Sequence, residues 1–317
     1  MTDHPGGLTP DHVRWAYRLL LDRDPENEDV IGPKLTASRD TRELRAHLVT
    51  SAEFRDKNPD YAQTNARTIV IKEIGPREAC VRLFVDLSDH VIGLSIIRGT
   101  YEREEIEFVR RLLKPGDITV DAGAHIGFFA IQMASMVGPG GRVYAFEPFE
   151  ANAELLDRSI VENRFEECVI FERAAVGEAS GSATLTFAGE TLNSGGAYLL
   201  RAGTAPLTGN VSRRVAAVAL DEFHLPHPVR FIKMDVEGAE PQVLRGAARI
   251  LKEDRPVILS EVHAAQLQRV SGVTADEFLA EVRRFGYRAQ DLSGAPIDRV
   301  PPDAILSVAL VPVGQRL

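Results

Sequence analysis

The stretch Asp117-Ile118-Thr119-Val120-Asp121-Ala122-Gly123-Ala124-His125-Ile126-Gly127-Phe128-Phe129-Ala130, followed by a further apolar run and by Gly141-Arg142-Val143-Tyr144-Ala145-Phe146-Glu147-Pro148, decides the fold. Residues 118–120 form a short apolar run of strand type, 121–127 a turn punctuated by glycine, 128–137 an apolar helix, and 142–146 a second strand that ends on an acid. That order is one nucleotide-binding βαβ unit. Gly123 and Gly127 allow a tight turn and close backbone approach to a ligand, and the helix that follows opens with free N–H groups and the positive end of its dipole. Glu147, at the tip of the second strand, is placed to accept the two hydroxyls of a ribose.

The turn carries two glycines rather than the three of a dinucleotide site, and Asp121 stands just before them. A pyrophosphate would be repelled by that carboxylate, whereas an ammonium group would not. S-adenosylmethionine offers a ribose, an amino group and a sulfonium, so these residues suit it better than NAD. The bland alternative is a βα turn that binds nothing.

Working outward, strands and helices keep alternating. Residues 151–163 read as a helix, 169–171 as a strand, 229–234 as a strand, 241–251 as a helix, 256–262 as a strand, 275–285 as a helix, and 306–311 as a closing strand. The expectation is an α/β fold, a Rossmann-like, doubly wound and mostly parallel sheet with ligands at the carboxyl ends of its strands. Upstream, residues 101–113 read as an acidic amphipathic helix, and 68–74, 79–87 and 91–98 as antiparallel lead-in strands. Residues 9–21 and 42–54 are helical in pattern, with Thr9 as N-cap, Pro10 at the first position, and a polar breaker at 22–27. The expected organisation is a helical module over 1–60, a linker and lead-in strands over 61–100, and the Rossmann-like domain over 101–317. Residues 177–187 and 189–213 break the rhythm; the second is long for a connection and reads as a lid or substrate loop.

Composition narrows the function classes. A formal charge of −9 over 317 residues argues against a general nucleic-acid or anionic-membrane binder, which needs clustered Lys and Arg. Residues 1–60 are no basic arm either, with nine Lys and Arg against twelve Asp and Glu; they read as a docking or self-pairing module, which allows a homodimer. Cys80 and Cys168 stand far apart in apolar runs and read as buried thiols. No signal peptide or membrane span is evident, so a cytoplasmic protein is expected.

Further residues complete a site. Ala174 and Ala175 follow the third strand, where small side chains leave room for an adenine. Residues 232–240, Ile232-Lys233-Met234-Asp235-Val236-Glu237-Gly238-Ala239-Glu240, drive a strand into two acids and a glycine. That sets Asp235 beside the same crevice as Asp121 and Glu147; helix capping is the plain alternative for Asp235 and Glu237. Ser260-Glu261-Val262-His263 ends the next strand, and period-two alternation puts Glu261 and His263 on one side of it. An imidazole at a strand tip beside a carboxylate suits a general base.

These motifs resemble the FkbM family of S-adenosylmethionine-dependent methyltransferases. The resemblance rests on residues 120–127, on Ala145-Phe146-Glu147-Pro148, on Asn193-Ser194-Gly195, on Val218-Ala219-Leu220-Asp221-Glu222, on residues 232–240 with Val243-Leu244-Arg245-Gly246-Ala247, and on Glu261-Val262-His263. His125 departs from it, because the family commonly has Asn in that turn. The resemblance implies methyl transfer to oxygen on a sugar, glycan, polyketide or other secondary metabolite, with a fold of the class I methyltransferase type. It implies cofactor contacts from Asp121, Gly123, His125, Gly127, Glu147, Ala174, Ala175 and Asp235, and substrate contacts from Asn193, Ser194 and Glu237. His263 or Asp235 would remove the acceptor's proton, with Glu261 orienting His263. A divalent metal on Asp235, Glu261 and His263 is an alternative that is not predicted. The segments Tyr17-Arg18-Leu19-Leu20-Leu21-Asp22-Arg23-Asp24-Pro25 and Leu48-Val49-Thr50-Ser51-Ala52-Glu53-Phe54 resemble a DUF4214-type helical module found beside glycosyltransferases and methyltransferases, which hints at glycan-related work. Rival readings are an NAD-linked oxidoreductase and a non-catalytic scaffold in a biosynthetic complex.

Overall fold

A computed structural model describes residues 8–38, 41–49, 51–57, 68–89, 91–188, 196–201, 203–302 and 304–315. The chain divides into two compact units, Met1–Thr68 and Ile69–Leu317.

In the first unit the helices Pro10–Leu21, Ile31–Ala37, Thr41–Val49 and Ala52–Lys57 surround Val13, Tyr17, Leu21, Ile31, Leu44, Leu48 and Phe54. The 3.6-residue period of Val13, Tyr17 and Leu21 makes one apolar face, and the other helices cover it. The helix Ile31–Ala37 is not evident from the sequence pattern. The polar breaker is pinned rather than loose: Arg23 grips the Glu53 carboxylate with Nε and Nη2, both at 2.5 Å, and lies over the Tyr17 ring.

The second unit holds a seven-stranded sheet. In chain order its strands, with their neighbours, are β1 (Ile69–Ile74), β2 (Val81–Asp86), β3 (Ile118–Ala122), β4 (Arg142–Phe146), β5 (Val169–Glu172), β6 (Ala174–Val176), β7 (Gly181–Ala188), β8 (Tyr198–Leu199), β9 (Asn210–Val218), β10 (Val229–Met234), β11 (Val257–His263), β12 (Tyr287–Gln290) and β13 (Ile305–Pro312). The central order is β12-β13-β11-β10-β3-β4-β5. From β11 to β5 every pairing is parallel, and β13 runs antiparallel between β11 and β12. Strands this apolar can be buried only if both faces are covered. One core holds the helix Phe128–Val137 with Phe231 and Leu259; the other holds Val243, Ile250 and Phe278 with Ile232 and Met234. The fold is α/β and doubly wound.

Several expectations change. Residues 92–98 form the helix Ile92–Arg98, not a strand. Asp89 Oδ1 accepts the N–H groups of Val91 and Ile92, which caps the helix start, and Gly99 closes it in the left-handed region. A seven-residue apolar run cannot announce this by periodicity. Residues 69–98 lie within the second unit and bury Val81, Leu83 and Val85 in its core. Part of the irregular stretch after β6 is sheet: β7 pairs with β9 over eight residues and with β8, and β6 joins β9 in parallel. Its threonines and valines find cross-strand partners far along the chain. Asn193 and Ser194 lie outside the described residues. The helix expected over 241–251 breaks into Glu240–Gly246 and Ala248–Glu253. Cys80 is exposed, while Cys168 is buried. Among the described residues no helix is long and apolar enough to cross a membrane.

Candidate active site

A cleft of about 500 Å³ opens at the carboxyl ends of the central strands. Its place follows from topology: from β3 the chain winds toward β4 and β5, whereas β10 leads the other way to β11, so loops part above the β3–β10 boundary. The small sheet supplies one wall through Leu185 and Leu199.

The loop after β3 is built around an acid from the neighbouring strand. Glu147 Oε2 accepts the His125 N–H at 2.9 Å and Oε1 accepts the Phe149 N–H at 2.7 Å. Glu147 lines the cleft yet is nearly buried, and that burial pushes its carboxyl up to about 7. The two glycines of the turn serve packing. A Cβ on Gly123 would stand 1.8 Å from the Asp235 carbonyl oxygen, and one on Gly127 would meet Leu156 Cδ1 at 2.5 Å. Gly123 lines the cleft; Gly127 does not. His125 adopts φ +53°, a left-handed conformation that Asn and His tolerate better than most residues. Its backbone N–H, not only its ring, therefore does the work at this position. Burial lowers the imidazole to about 4, so the ring is neutral.

Asp121 is 1% exposed and does not line the cleft; the same holds for Ala174, whereas Ala175 and Val176 do line it. Asp121 lies opposite Lys233 in the β3–β10 register, and burial pushes its carboxyl up to about 7. Lys233 is the centre of this layer. It is 3% exposed, its Nζ lies 3.0 Å from Asp235 Oδ2 and 3.8 Å from Glu102 Oε2, and it sits 4.8 Å over the Phe129 ring. Its neighbouring acids raise its pKa.

Asp235, Glu237, Glu261 and His263 all line the cleft, beside Tyr101, Glu102, Asn152 and Gln266. Glu237 has φ +53° and is followed by Gly238 at +96°; a Cβ there would meet the Gln266 carbonyl at 2.4 Å. Burial first, then Asp235 and Glu261, push Glu237 up to about 9. Glu261 rises to about 7, chiefly through burial and Asp235. Glu240 turns back to accept the N–H groups of Val236 and Gly238. Glu261 does not orient His263 by a hydrogen bond. His263 Nδ1 accepts the Gln266 N–H at 3.4 Å instead, because the chain turns into the short helix Ala264–Gln266 directly after β11. Among the described residues no three of His, Cys, Asp and Glu are arranged to hold a metal ion.

The model of the FkbM methyltransferase domain matches residues 121–289, more than half of the chain and the whole span that supplies Glu147, Asp235, Glu261 and His263. The chain belongs to the FkbM methyltransferase family. No curated protein matches it. Among solved structures it is similar to the FkbM methyltransferase of Methylobacillus flagellatus, at 17% identity and a TM-score of 0.40, covering 65% of this chain and 50% of that one. It thus spans about half the length of that relative. It is also similar to an S-adenosylmethionine-dependent O-methyltransferase from Thermotoga maritima, at 15% identity and a TM-score of 0.41, covering 78% and 79% of the two chains. A third is fibrillarin from Aeropyrum pernix with natively bound S-adenosylmethionine, at 15% identity and a TM-score of 0.37, covering 63% and 67%.

The methyltransferase's cleft fits an S-adenosylmethionine-dependent reaction. Glu147 is an acceptor pair facing the cleft, and Asn152, which lines it too, has a buried Oδ1 with no partner. The sequence reading missed Tyr101, Glu102, Asn152, Lys233 and Gln266. Only Lys233 left a signal: a lysine inside an apolar strand, two residues before Asp235 and hence on its side.

Proposed function

We propose that this methyltransferase methylates a hydroxyl oxygen of a small acceptor such as a sugar, a glycan end or a secondary metabolite. Glu147 takes the ribose hydroxyls, Gly123 and the His125 N–H form the turn beneath the cofactor, and Ala175 leaves room for its adenine. S-adenosylmethionine, when bound, supplies a methyl carbon on a positively charged sulfur. The acceptor oxygen forms the new bond to that carbon, the carbon–sulfur pair leaves with sulfur, and the acceptor's proton goes to a base of the protein. His263 is that base in our reading, through Nδ1, whose long 3.4 Å bond from the Gln266 N–H gives way to the acceptor's proton, whereas Asp235 is already ion-paired with Lys233. Alignment of the two reactants supplies the largest share of the rate, about 7–11 kcal/mol for well-oriented groups.

The observation that supports this reading is that His263 and Asp235 line the same cleft as Glu147 and Gly123. It is tested with radiolabelled S-adenosylmethionine and a panel of sugar and polyketide alcohols. His263→Ala is expected to lower kcat by about 10²–10⁴ while S-adenosylhomocysteine binds as before. Unchanged kcat in His263→Ala would remove the histidine from this role.

A further inference from the structure

The cleft is lined by more acidic side chains than a methyltransferase cofactor would occupy. Among the described lining residues five are acids, Glu102, Glu147, Asp235, Glu237 and Glu261, and none is Lys or Arg. Lys233, behind the wall, is committed to Asp235 and Glu102. Glu147 is committed to two backbone N–H groups. The remainder is a corner at the β10 and β11 tips made by Glu237 and Glu261. The charged groups acting on Glu237 are Asp235, Glu261 and Glu240, all acids.

A second observation comes from a neutral side chain. Gln266 is 9% exposed, lines the cleft, and donates its Nε2 to Glu237 Oε2 at 3.2 Å. Its Oε1 is buried with no partner. A buried amide oxygen left unpaired is costly, and a ligand donor would satisfy it. With Glu237 and Glu261 ionised, both carboxylates and this oxygen accept and none donates. A hydroxyl would bring them one proton and no charge; an ammonium brings three N–H donors and the missing charge. The corner is also set apart from the nucleoside end: β10 and β11 lie two and three strands from β4, roughly 10 and 14 Å at the usual spacing.

We infer that Glu237, Glu261 and Gln266 Oε1 form an ammonium subsite, and that the acceptor of this enzyme is an amino sugar. The inference rests on the methyl-transfer reading. Calorimetric titration of the full chain, first saturated with S-adenosylhomocysteine, compares glucosamine, N-acetylglucosamine and glucose, which share a ring and differ in one substituent. Glucosamine is expected to bind at least tenfold more tightly than either neutral sugar, and Glu237→Gln and Glu261→Gln to abolish the difference. Equal affinities, a preference for the acetylated sugar, or no binding of glucosamine overturns the subsite, and the wild-type comparison decides even if a variant does not fold. Failure of S-adenosylhomocysteine itself to saturate the protein would instead overturn the methyl-transfer reading.

Discussion

Two loops face each other where the sheet reverses its winding, one after β3 and one after β10, and they solve one problem in two ways. Each bends through a non-glycine residue at φ +53°, His125 or Glu237, beside glycines with positive φ. Each ties its N–H groups to a buried carboxylate. In the first loop that carboxylate is Glu147, which comes from the next strand and lines the cleft, so one acid both holds the loop and faces the cleft. In the second the roles are divided: Glu240 holds the loop from behind, and Glu237 faces the cleft with an amide donor from Gln266. An acid saturated by backbone donors is rigid before binding. One with a neutral partner and acidic neighbours is waiting for positive charge.

The largest predicted effect strikes the element shared by both loops. Lys233→Met leaves Asp235 and Glu102 without their cation in a buried layer, and breaking such a pair costs about 3–5 kcal/mol. Urea denaturation should register that loss. A loss below about 1 kcal/mol would mean that the acids relax into water and that the two loops are not joined through the lysine.

Next comes Glu147→Ala. It removes an ionised acceptor for ribose hydroxyls, worth about 1.5–3 kcal/mol, and strands the N–H groups of His125 and Phe149. S-adenosylhomocysteine affinity should fall roughly 10–10²-fold by calorimetry. If affinity survives, the first loop is only structural, and the contrast with the second disappears.

The fold was legible because the sheet's apolar strands and the two strand-tip acids are local features. Val120 to Gly127 followed by Glu147 sets one βαβ unit whatever surrounds it, and the family's motifs in order set the rest. What was illegible is long-range. Nothing near Gln266 in sequence says that its amide meets Glu237, 29 residues away. Nothing near Glu102 says that it shares Lys233 with Asp235. The strand segments within residues 189–213, at 198–199 and from 210, went unread because β8 and β9 find their partner in β7, which no local pattern states. His125 read as a doubtful side-chain contact, although the position's demand is on the backbone. Glu261 and His263 do share a side, as period two required, yet the hydrogen bond between them does not follow from a shared side.

A smaller effect appears in pH. Burial raises Glu147 to about 7, so its folded pKa lies above the unfolded value near 4.3. The stability it contributes is full below that unfolded value and is lost as pH rises through about 7. Ligand hydroxyls select the carboxylate, so binding below pH 7 must release a proton, and affinity for S-adenosylhomocysteine should weaken as pH falls from 7 to 5. Calorimetry in buffers of different ionisation enthalpy measures the proton count. A pH-independent affinity would show Glu147 already ionised in the free protein.

The finest test separates the two acids of the second loop. Glu240→Ala leaves the buried N–H groups of Val236 and Gly238 unpaired and should destabilise the fold by about 1–3 kcal/mol near pH 4.5, and by less at pH 8.5 because burial raises Glu240 itself to about 7. Glu237→Gln should act in the opposite direction and only on one side of the pH scale. Glu237 titrates at about 9 in the folded protein, so wild-type stability declines as pH rises from about 4.3 toward 9, while a glutamine there does not titrate. The variant should match wild type near pH 4.5 and exceed it at pH 8.5, by on the order of 1 kcal/mol once screening by water in the cleft is allowed for. Thermal unfolding of both variants at those two pH values reads the pattern. If Glu237→Gln instead loses stability at pH 8.5, its carboxylate is serving the loop as Glu240 does, and the second loop holds two structural acids rather than one acid kept for a cation.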